Sequence, residues 1–231
     1  MKASTRIHPV PIGIDCCYIL ESEGVVMVDA GVPSRIGAFR FGLASLALQA
    51  RDIGLVVVTH GHFDHIGSAR AIKEMTGARL AIHERERAAI EKAEMLAVPP
   101  GQTAWARVMI RAIGPMARLW RIQKAAVEVP LSNDNLDLAA YGVPGRVMHT
   151  PGHTGGSVSV LLDSGEAFVG DLAMNGFPMR RGAGMPVYAE DPAQVLASWR
   201  KLLDAGATTI YPAHGRPFPA QVLHEALAAA A

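Results

Sequence analysis

The chain has 231 residues, half of them hydrophobic, and a formal net charge of +1. That is material for one large domain or two small ones, read here as a single domain over residues 1–231, and a charge near zero leaves no global electrostatic footprint for nucleic acid. No continuous apolar segment opens the sequence and no apolar run reaches membrane-spanning length, so the expectation is a cytoplasmic chain without a signal peptide or transmembrane segment.

Residues 12–20 and 25–28 read as two apolar strands joined by the turn Glu21-Ser22-Glu23-Gly24. The adjacent Cys16 and Cys17 are too close for a mutual disulfide and read as strand residues. Asp29 follows the second strand and could orient a later loop or metal ligand by hydrogen bonding, or cap the next helix. Residues 33–49 carry helical spacing, with Ile36, Phe39, Leu43, Leu46 and Ala47 on one face and Pro33 suited to a first turn. Residues 53–58 form the next strand, and the chain then runs Thr59-His60-Gly61-His62-Phe63-Asp64-His65-Ile66-Gly67. Three histidines and an aspartate at the end of a buried strand offer imidazole and carboxylate donors from one rigid edge, a donor set suited to a hydrolytic metal site.

Residues 69–75 continue as a helix that Gly77 closes, residues 79–82 as a strand leading to His83, and residues 84–94 as a charged helix. His83 is a weaker candidate for substrate contact. Residues 96–125 differ in character: Trp105, Met109, Met116 and Trp120 alternate with five Arg and Lys residues, and no acid occurs. This helical insertion could be a lid, a homodimer interface, a membrane-surface element or an ordinary pair of amphipathic helices.

Short strands follow at residues 127–130 and 136–138, around a polar Ser132–Asn135 turn. A strand at residues 145–149 leads into Pro151-Gly152-His153-Thr154. A hairpin of residues 158–162 and 167–169 ends in Gly170-Asp171. A helix over residues 191–203 has Asp191 as N-cap and Pro192 at its first position. A strand at residues 208–211 runs into Ala213-His214-Gly215, and an Ala-rich helix follows. Four strand ends thus present metal-type donors. Seven side chains could fill two adjacent metal positions, one of three histidines and one of two histidines with an aspartate, bridged by a carboxylate.

Asp29-Ala30-Gly31, His60-x-His62-x-Asp64-His65, Pro151-Gly152-His153-Thr154-x-Gly156, Gly170-Asp171 and Ala213-His214-Gly215 occur in the order found in the metallo-β-lactamase-fold hydrolase superfamily, which the chain resembles over nearly its whole length. The resemblance implies a four-layer αββα sandwich and two divalent metal ions, zinc by default, with iron and manganese fitting the same donors. It implies that His60, His62 and His153 hold the first ion, that Asp64, His65 and His214 hold the second, and that Asp171 bridges. The implied reaction is attack of a metal-bound hydroxide on an ester, thioester or lactone carbonyl, with Asp64 holding or receiving the proton.

The alternatives are β-lactam amide hydrolysis, a phosphodiesterase, a mononuclear-iron persulfide dioxygenase, and a non-enzymatic metal-binding protein. Within the family the chain resembles hydroxyacylglutathione hydrolases and lactonases. It departs from the lactonases in having no tyrosine between Asp171 and Tyr188. Trp105, Met109 and Trp120 of the insertion, with Arg180 and Arg181 in the loop after Asp171, are the candidates for holding a small-molecule substrate, an acyl group with an anionic handle.

Overall fold

The computed structural model describes residues 4–98, 101, 103–108, 111, 120–176 and 180–230. Its first sheet takes the strands β1 (Arg6–Pro11), β2 (Cys16–Glu21), β3 (Val25–Val28), β4 (Ile53–Val57), β5 (Arg79–His83) and β6 (Val129–Leu131) in that order. The second takes β7 (Leu136–Asp137), β8 (Gly145–His149), β9 (Val158–Leu162), β10 (Glu166–Gly170), β11 (Thr209–Pro212) and β12 (Phe218–Pro219), again as neighbours in sequence order. Short turns join the antiparallel pairs β2–β3 and β9–β10, whereas β8 and β9 are joined by the longer loop that carries His153. Parallel pairing appears where a helix intervenes: Ile36–Leu46 before β4, Ala69–Thr76 before β5, Arg87–Glu91 before β6 and Pro192–Asp204 before β11.

The period-two alternation of the strands builds three apolar layers. Val26, Val28, Leu55, Val57 and Ala81 of the first sheet meet Val147, Val158, Val160, Leu162 and Phe168 of the second. The alternate residues Met27, Val56, Leu80 and Ile82 face outward to Phe39 and Leu43 of one helix and Ile72 of another. On the far side Met148, Leu161 and Val169 pack against Val195, Trp199 and Leu202 of the helix Pro192–Asp204 and Leu223 of Gln221–Ala229. Three cores between two sheets and two helical layers make the αββα sandwich, in line with the sequence expectation.

Several boundaries differ from that expectation. Residues 12–20 are not one strand. The Ile12 amide donates to Asp15 O at 3.2 Å and Gly13 takes φ +107°, so the chain turns before β2 begins. The strand β1, unforeseen because Pro9 and Pro11 interrupt it, pairs only with β2, where an edge tolerates proline. The first long helix starts at Ile36, not at Pro33, because Ser34 sits at φ +63°. The charged helix is shorter, a 3-10 turn Glu84–Glu86 running into Arg87–Glu91. By contrast β8 and β9 match their expected bounds, and Asp191 caps its helix by accepting from the Ala193 and Gln194 amides. Among the described residues no helix is long and apolar enough to cross a membrane.

Candidate metal centre

The carboxyl ends of β3, β4, β8, β10 and β11 open on one edge of the sandwich, and each delivers part of the donor set or of its support. His60 and His62 follow β4, and Asp64 and His65 lie in the short helix Phe63–Ile66. His153 follows β8, Asp171 follows β10 and His214 follows β11. All seven side chains are buried. Gly170 is where β10 must yield: its φ is +53°, and a Cβ there would lie 2.4 Å from Thr59 Oγ1.

His60 Nε2, His62 Nδ1 and His153 Nε2 form a triangle with sides of 2.9, 3.1 and 3.2 Å. Ligands about 2.0–2.1 Å from a tetrahedral zinc stand roughly 3.3 Å apart, so these three nitrogens fit one cation. Asp64, His65 and His214 form a second donor group, and His60, His65 and Asp171 a third that overlaps both. Asp171 faces two ways. Its Oδ1 lies 3.5 Å from His65 Nε2 and 3.4 Å from His214 Nε2, while Oδ2 lies 3.7 Å from His153 Nε2. His214 Nε2 is also 3.4 Å from Asp64 Oδ2.

The far side of most rings is fixed by a partner. His65 Nδ1 meets Asp29 Oδ2 at 2.9 Å, His153 Nδ1 meets Tyr188 O at 2.8 Å and His214 Nδ1 meets Ile14 O at 3.3 Å. Those partners are acceptors, so each ring carries a proton on Nδ1 and turns Nε2 to the centre. His60 Nδ1 lies 3.1 Å from Thr59 Oγ1, whose hydroxyl donates to Asp29. Asp29 thus serves the loop through His65 and through the Thr59 amide and hydroxyl, from a left-handed φ of +62°. His62 Nε2, His65 Nε2 and Asp171 Oδ1 are buried with no hydrogen-bond partner. His65 Nε2 and Asp171 Oδ1 face the centre and are what a cation would satisfy, whereas His62 Nε2 lies on the far side of a ring whose Nδ1 faces it.

Electrostatics divide the site. Burial and the neighbouring imidazoles push His60 well down, and burial with His153 pushes His62 down to about 3. Burial also lowers His153, which Asp171 offsets in part. Burial opposes the charged form of His65 too, yet Asp29 and Asp171 hold it well above the usual range. Burial opposes His214 likewise, and Asp171 and Asp64 still raise it to about 9. Asp64 and Asp171 are themselves held low against their burial by His214 and His65.

A cleft of about 50 Å³ reaches this edge, lined by His62, Asp64, His153, Asp171 and His214 and by apolar Ile14, Phe63, Val98, Met174 and Tyr188. The substrate candidates from the sequence are placed unevenly around it. Trp120 packs on Phe63 with centroids 4.6 Å apart and planes tilted by 39°, and lines an adjoining cleft of about 360 Å³ with Ile14, Val32, Pro33 and Arg35. Trp105 is 52% exposed and does not line the site cleft. Arg180 does not reach it either: its guanidinium donates to Gly182 O and Met185 O within its own loop. Arg181 is absent from the cleft lining, and Met109 and Met116 lie outside the described residues. Val98, Ala106, Met174, Val187 and Tyr188 form a small apolar cluster, of which Val98, Met174 and Tyr188 line the cleft, with the Tyr188 hydroxyl on Ala106 O. Residues 122–125 instead dock on the helical layer of the first sheet. His83 is drawn away by stacking on His149, 4.4 Å between centroids, and does not line the cleft.

Two buried acids lie outside the sequence expectations. Asp15 is 3% exposed with both carboxylate oxygens unpartnered, and burial pushes it well up despite the nearby His65. An acid inside the apolar run of residues 12–20 was the available signal. Glu86 hid among four acids of a helix that reads as solvated.

The sequence model of the metallo-beta-lactamase superfamily matches residues 11–214. A probable metallo-hydrolase of Bacillus subtilis, YflN, is 26% identical over 182 residues, 73% of this chain and 64% of that protein. An uncharacterized protein of Mycobacterium leprae is 30% identical over 86% of this chain and 85% of its own. A hydroxyacylglutathione hydrolase of Cupriavidus taiwanensis is 28% identical over 90% of this chain and 66% of its own. The chain therefore spans less than two thirds of the Bacillus and Cupriavidus proteins. Among solved structures, a metallo-beta-lactamase family protein from Thermus thermophilus superposes with a TM-score of 0.69 at 25% identity, over 98% of this chain and 79% of its own. The BLEG-1 B3 metallo-beta-lactamase gives 0.66 at 23% identity, over 94% of this chain and 95% of its own. A family match that runs from β1 to His214, on a fold shared along nearly the whole chain, means that this protein belongs to the metallo-β-lactamase superfamily.

Proposed function

We propose that the protein is a hydrolase dependent on two divalent metal ions, zinc by preference, that cleaves an ester, thioester or lactone. The observation that carries this reading is the two-faced Asp171, with one oxygen toward His65 and His214 and the other toward His153. In this reading His60, His62 and His153 hold one ion, Asp64, His65 and His214 the other, and Asp171 stands between. Bound there, the ions would supply an activated water at neutral pH and polarise the scissile carbonyl. The chain's own part is to hold neutral imidazoles at one position and to offer carboxylates at the other. Asp64, beside His214, accepts the proton released in the reaction. Val98 and Tyr188 line the cleft and Ala106 packs against Tyr188, which excludes bulk water; Val98 and Ala106 are the part of the 96–125 insertion that supports a lid.

The site cleft alone is too small for an acyl substrate, since ligand pockets run to about 300–1,000 Å³. Ile14 is shared with the adjoining cleft beneath Trp120, so the acyl group extends there, with Arg35 at that cleft's wall as a counter-charge for an anionic end. Similarity to a hydroxyacylglutathione hydrolase favours the thioester among the three bonds.

The test is elemental analysis of the purified protein together with turnover of thioesters, lactones, β-lactams and bis-nitrophenyl phosphate, before and after chelation. The expected result is two ions per chain and thioester or ester cleavage that chelation abolishes and zinc restores. Hydrolysis that survives verified removal of all metal would end this reading.

A further inference from the structure

The two loops that carry the three histidines come from different sheets, and one carboxylate outside the proposed ligand set joins them. Glu86 ends the 3-10 turn after β5 and is 3% exposed. Its Oε2 accepts from the Gly61 amide at 2.5 Å, and Gly61 stands between His60 and His62. Its Oε1 accepts from the Gly156 amide at 2.8 Å and from the Thr154 hydroxyl, and Thr154 is the residue after His153. One buried anion therefore takes three donors from two loops, a charge-assisted set stronger than neutral bonds of the same number. The loops also meet where the Val158 amide donates to Thr59 O at 2.9 Å, but that bond lies before His60 and after His153.

The bond to Gly61 matters most for His62. The rings of His60 and His153 are anchored by Thr59 Oγ1 and Tyr188 O, whereas His62 Nε2 has no partner. The His62 ring is thus placed by its backbone, which the helix Phe63–Ile66 fixes on one side and the Gly61–Glu86 bond on the other. Gly156 is shaped to this carboxylate: a Cβ there would lie 2.7 Å from Glu86 Cγ and Oε1. The opposite half of the centre does not touch Glu86. His65 is held by Asp29, and His214 by Ile14 O.

We propose that Glu86 is a positioning residue for the three-histidine position: its carboxylate sets the separation of the His60–His62 loop from the His153 loop, and so brings three imidazole nitrogens onto one cation. This inference rests on the metal-centre reading above. Its distinct content is that a residue touching neither metal nor substrate controls one of two positions and not the other.

The experiment uses full-length protein loaded with zinc and challenged with graded chelator, with zinc per chain read by elemental analysis. Glu86→Gln keeps the volume and removes one acceptor oxygen. Gly156→Ala leaves the carboxylate but displaces it, so the two variants reach the same clamp independently. Each is made alone, in a His153→Ala background and in a His214→Ala background, and the melting temperature of every metal-free form is recorded. In the His214→Ala background the remaining ion is expected to bind about ten- to a hundredfold more weakly when Glu86 or Gly156 is changed, the usual effect of losing an outer partner of a metal ligand. In the His153→Ala background neither change is expected to alter retention of the remaining ion. Equal weakening in both backgrounds, with a lower melting temperature in the metal-free forms, would show a general structural role and overturn the proposal. So would unchanged retention in both. A wild-type protein that retains no zinc would instead overturn the metal-centre reading itself.

Discussion

The two halves of the candidate centre hold the same residue type in opposite electrostatic states. His60, His62 and His153 face one another across 2.9–3.2 Å with burial and mutual repulsion suppressing protonation. His65 and His214 sit among Asp29, Asp64 and Asp171, which favour a positive charge strongly enough to overcome the same burial. The first half presents free lone pairs at neutral pH. The second carries protons that a cation must displace, because a ligating imidazole has to be neutral. The lesson is that burial alone does not set a histidine's state here; the number of carboxylates within reach does.

The largest test of this comparison removes one half at a time. His153→Ala and His214→Ala are each expected to lose one ion per chain and to lower kcat/KM by on the order of a thousandfold, the scale of a lost charge-stabilising group. Metal content and steady-state hydrolysis check this together, and loss of both ions from either variant would break the division into halves. A smaller effect follows from Asp29→Asn. It weakens the anchor of His65 without touching His153, and is expected to cost about ten- to a hundredfold in affinity at the carboxylate-containing half. Zinc retention in the His153→Ala background reads that half directly.

The smallest effect is on the metal-free protein. His214, raised from 6.5 to about 9, contributes stability that is complete below pH 6.5 and lost as the pH climbs through 9. The melting temperature of the metal-free chain is therefore expected to decline across that window, and less steeply in His214→Gln. Zinc uptake at pH 7 is expected to release protons from the His153→Ala protein and almost none from the His214→Ala protein, which calorimetry in buffers of different ionisation enthalpy resolves. A melting temperature independent of pH across that window would mean that the carboxylates do not raise His214.

The insertion and the metal loops also differ in how well sequence describes them. A buried strand that ends in His-x-His-x-Asp-His can do little with its donors except converge on a charge, so local pattern and tertiary role agree. Residues 96–125 carry an amphipathic pattern that several folds would satisfy. Val98 lines the cleft, Ala106 packs with Tyr188 beside it, Ile122 and Ala125 pack on the first sheet's helical layer, and Trp105 faces solvent. Arg180 looked like a substrate cation because sequence shows its charge but not the Gly182 and Met185 carbonyls that occupy it.

By itself the sequence determined most of the strands and helices, the αββα class and a set of seven candidate donors. Period, capping and motif are short-range properties that are written residue by residue. Only the tertiary structure decided which donors face each other and what stands behind them. Asp29 is 36 residues from His65, and Glu86 is 25 from Gly61 and 70 from Gly156. Burial and charge at such separations depend on how two sheets close over one edge, and no window of sequence contains that distance.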